Sequence, residues 1–145
     1  MKIFKTILAI IVGIIAGSVV NAAIIFIGNA IFGSPDGMIL WDEESVKAHA
    51  DQLTTVNYVC TFLAHQLGTL VGAFVAATIA PFRKLIFALV VGIWFLGSGI
   101  YAVSVIYAPI WFKIADITLY IPIAFIGGSL AIKKTRKDDK ARANS

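Results

Sequence analysis

The chain has 145 residues, of which 59% are hydrophobic and 14% charged, with a mean hydropathy of +0.91 and a formal net charge of +4. Soluble domains carry about 45–50% apolar and about 25% charged residues, and a chain this short cannot bury that much apolar surface in a core of its own. A water-soluble globule is excluded, and lipid is the solvent that fits.

A helix needs about 20 mostly apolar residues to cross a hydrocarbon layer about 30 Å thick. Residues 6–32 meet that condition first. The basic start and Val20-Asn21-Ala22 resemble a signal peptide with a cleavage site, but the apolar run continues through Ile27 and Ile31. That is longer than a signal-peptide apolar region, so the segment is read as a span. The outer loop, residues 33–54, begins with a turn at Ser34-Pro35-Asp36-Gly37, since Pro fixes one dihedral and Gly accepts positive φ. Asp42, Glu43 and Glu44 then open a short helix that ends near Gln52, because acids favour a helix N-terminus. Glu43 and Lys47 are spaced to pair, and Trp41, Val46 and Leu53 are placed to lay the segment on the membrane surface. Asp42, Glu44, His49 and Asp51 match no familiar ligand spacing, so they are read as a solvated face and no metal or cofactor is expected.

Three more spans follow at residues 56–80, 85–107 and 114–132, with Pro81 stopping the second and Pro109 marking the bend before the fourth. Pro122 interrupts the last span and predicts a kink or break near Leu119. Lys2 and Lys5, Arg83 and Lys84, and the basic residues from Lys133 onward alternate with acids at Asp36, Asp42, Glu43, Glu44, Asp51 and Asp116. Basic loops stay on the cytoplasmic side. The expected fold is therefore all-α: an integral membrane four-helix bundle with both termini cytoplasmic and a short extracytoplasmic helix between spans 1 and 2. Residues 1–132 form the membrane domain and residues 133–145 a flexible basic cytoplasmic tail. Trp41, Tyr107 and Trp111 fall where an outer aromatic belt belongs.

Small residues let helices approach closely where no hydrophobic force drives them together. Ala64, Gly68, Gly72, Ala76 and Ala80 recur at every fourth position of span 2, and Ala9, Gly13 and Gly17 do so in span 1. The two stripes predict a tight antiparallel hairpin. Glycines of spans 3 and 4, including Gly92, Gly97, Gly99, Gly127 and Gly128, repeat the signal more weakly.

Polar side chains inside a span need a reason. Asn21, His65, Tyr101 and Asp116 lie 16 to 18 residues from the nearest cytoplasmic charge, at Lys5, Arg83, Lys84 and Lys133. At about 1.5 Å per residue, all four reach roughly 24–27 Å above that boundary. They outline an outward-facing polar pocket sealed below by the small-residue stripes. Each also has a plainer role: Asp116 as a helix cap, His65 and Asn21 as interhelical bonds, Tyr101 as packing. Gln66 falls on another face than His65, toward a further subunit or the loop.

The segment 62–74, carrying Phe62, His65, Gln66, Gly68, Gly72 and Phe74, resembles one found in small uncharacterised bacterial four-span proteins. Residues 108–116 and Tyr120-Ile121-Pro122 are similar to a second segment of that group. The resemblance implies a bacterial cytoplasmic membrane protein of four-helix architecture and carries no activity, cofactor or catalytic residue.

Three functions fit these features. An accessory or helix-bundle binding protein needs the polar layer only to set helix register. A small-solute or proton transporter would use His65 and Asp116, since histidine titrates near neutrality and intramembrane carboxylates serve in proton relays. A membrane enzyme would use His65 as general base, but neither a nucleophile elbow nor a metal-binding histidine cluster accompanies it. The expected partners are the lipid bilayer and either a second copy of the chain or another membrane protein. Nucleic acid is not among them, because the basic residues form no basic face. The single cysteine, Cys60, allows no internal disulfide.

Overall fold

The computed structural model describes residues 2–144, which fold into five α-helices and one 3-10 turn. The helices are α1 (Lys2–Phe32), α2 (Glu43–Ala48), α3 (Thr55–Ile79), α4 (Lys84–Val105) and α5 (Ile110–Ala143), and the 3-10 turn, Ala50–Gln52, follows α2. All but α2 are long and apolar enough to cross a membrane. Together they form a four-helix bundle.

Local chemistry sets the boundaries. Gly33 leaves α1 with φ at +83° and Gly37 turns the chain with φ at +81°, a region that costs glycine nothing. Asp42 caps α2 by accepting from the Ser45 N–H. Thr54 caps α3 in a reciprocal box with Asn57, and Asn57 Nδ2 also donates to Gly33 O at 2.8 Å. The start of α3 is thereby tied to the end of α1. At the other end Arg83 takes a left-handed conformation and Lys84 Nζ donates to the Ala77 and Thr78 carbonyls at 3.1 and 3.2 Å. An ammonium there satisfies carbonyls that a helix C-terminus leaves open.

Two expectations change along α5. Pro109 occupies its N-cap and the helix runs on past Pro122 without the break predicted near Leu119. One missing N–H is tolerated where neighbouring helices hold the segment. The helix also continues to Ala143 through residues 133–143, where a flexible tail was expected. Lys, Arg and Ala are good helix formers, and an existing helix extends at little cost.

The central element is α3, which packs along α1, α5 and α4, whereas α1 touches α4 only lightly. Of the most apolar stretch of α1, 11% is buried, against 39% for α3, so α1 lies at the periphery. Between α1 and α3 the backbones nearly meet. A Cβ built on Gly13 would stand 2.8 Å from Gly72 O, and one on Gly17 would stand 2.6 Å from Gly68 O. Further up the same antiparallel seam, Gly28 lies against Cys60. On the far side of α3, Gly127 of α5 faces Leu70 O and Ala73, while Gly92 of α4 meets Ala124 of α5. Gly97 meets nothing within 4 Å.

The loop between α1 and α3, residues 33–54, packs onto the bundle at two points. Leu53 packs with Tyr58, Ala108 and Phe112, and Trp41 stacks on Phe26 of α1 with ring centroids 6.1 Å apart.

Candidate functional site

Asp116 lies six residues past the first residue of α5 and has no exposed surface. A cap would sit in the first turn at the rim, so capping does not describe this residue. A carboxylate taken out of water is costly unless donors surround it, and three side chains do so here. His65 Nδ1 stands 2.9 Å from Oδ2 and 3.0 Å from Oδ1. Gln66 Nε2 donates to Oδ1 at 3.1 Å, and the Tyr120 hydroxyl donates to Oδ2 at 3.1 Å. In the tautomer that donates from Nδ1, His65 keeps Nε2 as a second, separate proton site.

Helical geometry explains the set. His65 and Gln66 are consecutive on α3 and straddle the α5 seam, and Gln66 Nε2 also approaches the Asp116 carbonyl at 3.3 Å. Tyr120 follows Asp116 by one helical turn, with its ring over Gly99 of α4. A Cβ at Gly99 would fall 2.5 Å from the Tyr120 oxygen, so a side chain there would displace the tyrosine ring. Thr69 anchors the same turn of α3 through its hydroxyl, which donates to His65 O at 2.8 Å. The His65 ring lies between Phe112 and Tyr120, at 6.3 and 6.1 Å between centroids.

Gln66 corrects the sequence reading. It turns inward to the carboxylate and not toward another subunit or the loop, because at the helix seam two adjacent residues can both reach one partner. Tyr120 follows Asp116 by four positions, which puts both on one helix face, but nothing in the sequence marks it as a donor to that residue. Tyr101 goes elsewhere: it is 56% exposed, and its hydroxyl donates to Glu43 at 3.1 Å, at the rim of the bundle. Asn21 sits on the α1–α3 seam against Gly68, with its side-chain oxygen buried and without a hydrogen-bond partner among the described residues. The four polar residues at similar height thus separate into a His65–Asp116 pair, a neighbouring Asn21 and a rim contact at Tyr101.

Two cavities flank the pair. One of about 330 Å³ lies beneath the outer loop, with Trp41, Glu43, Tyr58, Tyr107, Phe112 and His65 in its walls. The other, about 250 Å³, opens between α1 and α4 and is lined by Ser18, Asn21, Trp94, Ser98, Tyr120 and His65. His65 borders both and retains 16% exposure of its side chain, whereas Asp116 borders neither. The imidazole therefore stands between the buried carboxylate and the space around it.

At the rim, Lys47 Nζ bridges Glu43 at 2.6 Å and Glu44 at 3.1 Å. Hydrogen bonds from Lys47 and then Tyr101 hold the Glu43 carboxyl below its ordinary range. Of the acidic and histidine residues in this loop, Asp42 caps α2, and His49 Nδ1 lies 2.7 Å from Ser45 O.

Fold and site together define a multi-span helical membrane protein with a buried polar core. Comparison with known protein families, with curated proteins and with solved structures finds no match for the chain.

Proposed function

We propose that this protein is a small transporter or channel-like membrane protein in which His65 and Asp116 pass a proton or a small polar solute. One observation carries the reading: a fully buried carboxylate bonded to an imidazole that itself borders two cavities. A layer serving only helix register needs satisfied polar groups, not an ionisable pair beside open space, and ionisable residues within spans mark ion and proton paths. The accessory role read first from the sequence accordingly ranks second.

In this reading both termini face the cytoplasm, residues 1–132 form the membrane domain and residues 133–145 extend into the cytoplasm. Support comes from the basic residues at Lys2, Lys5, Arg83, Lys84 and beyond Ile132, against acids clustered in the outer loop. The exposed rings of Trp41, Tyr107 and Trp111 fit the outer interface. A bacterial cytoplasmic membrane is the location that agrees with the resemblance of residues 62–74, 108–116 and 120–122. Four helices leave little room for a continuous pore, so a second copy would complete the path.

Proton flux in proteoliposomes, followed with an entrapped pH dye, tests the proposal. The unaltered protein should conduct above empty vesicles, and His65→Ala should lower the rate by about a hundredfold or more, the low end of what a positioned proton-transfer group contributes. Flux unchanged by His65→Ala would end the idea.

A further inference from the structure

The walls of the 330 Å³ cavity carry a charge pattern that restricts what could occupy it. Among the described residues Glu43 is the one formally charged residue lining it, and neither Lys nor Arg lines either cavity. Asp116 lies directly behind His65. With neutral imidazole the pair bears one negative charge, in a region where low dielectric strengthens any electrostatic interaction. The walls add Trp41, Tyr58, Tyr107 and Phe112, whose ring faces attract cations. His65 Nε2 takes no hydrogen bond among the described residues. The uncommitted donors of the wall, the Trp41 indole N–H and the Tyr107 hydroxyl, are both neutral. No cationic side chain among the described residues lines the wall to balance an anion, and the apolar majority of the wall disfavours hydrated metal ions. At about 330 Å³ the space falls at the small end of the range of about 300–1,000 Å³ for small-molecule pockets.

We propose that this cavity binds a small apolar organic ammonium ion, a protonated amine, whose N–H donates to His65 and which replaces the proton that His65 would otherwise take up. The inference rests on the transport reading of the same site and names its substrate class. One positive charge balances Asp116 in either case. When His65 Nε2 carries the proton, the pair is neutral and the amine has no site. When Nε2 is free, the ammonium donates to it and its charge is offset by Asp116 behind the ring. Amine and proton therefore exclude one another, which is the requirement for exchange.

The groups facing His65 keep that competition simple. From α5 come Asp116 and the Tyr120 hydroxyl, and from α3 itself Gln66 and Tyr58. The α1 side presents Ser18, Asn21 and Asn29, and α4 presents Ser98, none of which titrates near neutrality. Beyond α4 lies Tyr107, and the outer loop supplies Glu43 with its partner Lys47. Histidine is the one side chain of this set whose ordinary titration falls in the neutral range.

Calorimetric titration of the purified full-length protein in detergent tests this, with N,N-dimethylcyclohexylamine as the probe. Cyclohexylmethanol and cyclohexanecarboxylate serve as neutral and anionic counterparts. The amine should bind saturably and release a proton. Its affinity should rise with pH by up to about tenfold per unit where the pair titrates, and both counterparts should bind at least about tenfold more weakly. Asp116→Asn should abolish this preference for the amine. Should that variant fail to fold, the pH dependence and proton release of the unaltered protein decide the matter. Equal affinity for the three probes, or amine binding without proton release, would overturn the proposal. Proton flux that requires His65 without any amine binding would sink this inference and leave transport standing. Proton-coupled amine binding without flux would do the reverse.

Discussion

Asp116 shows how one residue can bind stability and function together. Its carboxylate is kept in a dry interior by donors from His65, Gln66 and Tyr120. Hydrogen bonds to a charged group contribute roughly 1.5–3 kcal/mol each, so Tyr120→Phe should cost about that amount in equilibrium unfolding in mixed micelles. His65→Leu strands the charge more completely and should cost about 3–5 kcal/mol. Replacing both partners, His65→Leu with Asp116→Leu, removes the charge along with its donor and should restore most of that loss. If the pair serves only to hold the helices, the double variant keeps every property of the parent. The proposed function requires it to fold and yet conduct nothing.

Glu43 makes a separate prediction at the rim. Its carboxyl is held below the ordinary value of 4.5, chiefly by the hydrogen bond from Lys47 and then by that from Tyr101. A lowered folded value means that the contact contributes fully above pH 4.5 and is lost as pH falls through the lowered value. The protection of α2 amides, taken relative to the intrinsic exchange rate at each pH, should accordingly fall only on acidification below that point. Tyr101→Phe should make exchange in α2 faster at neutral pH without changing global stability, as befits an exposed contact.

At the scale of elements, glycine position separates packing from permissiveness. Gly17 lies where a Cβ would meet both Gly68 O and the Phe95 ring at 2.6 Å. Neither neighbour can yield cheaply, one being backbone and the other wedged in the core. Gly17→Leu should therefore pry α1 from α3, at about 1–3 kcal/mol or more by the usual cost of overpacking. Gly97 has open space around it, and Gly97→Ala should gain up to about 1 kcal/mol from helix propensity. Equal effects at the two positions in the same unfolding assay would contradict the α1–α3 seam. The stripe of Ala64, Gly68, Gly72 and Ala76 was readable from spacing alone, as was the partner stripe at Gly13 and Gly17. The register between them was not, since a four-residue repeat fits equally well when slid by one turn. Gly13 against Gly72 and Gly17 against Gly68 is the alignment that the loop and the Asn57–Gly33 bond select.

For the whole molecule, orientation is the property with the cheapest test. In a Cys60→Ala background, Glu44→Cys should react with a membrane-impermeant maleimide on intact cells, because Glu44 is well exposed on the outer loop. Lys137→Cys should react only after permeabilisation. Labelling of both from outside, or the opposite pattern, would reverse the topology argued from charge.

Composition, hydropathy and charge order were enough to establish four apolar helices, their approximate limits, the capped helix of the outer loop and the small-residue stripes. Each of these depends on local propensity or on partition between lipid and water, both of which act on short stretches of chain. Which polar residues meet was decided by the tertiary structure alone. His65, Gln66, Tyr120 and Asp116 converge although 51 positions separate His65 from Asp116, while Tyr101, at the same expected height, turns out to Glu43. Depth along a span can be counted in residues. The direction a side chain faces depends on the rotation and crossing of packed helices, and only the contacts between them determine that.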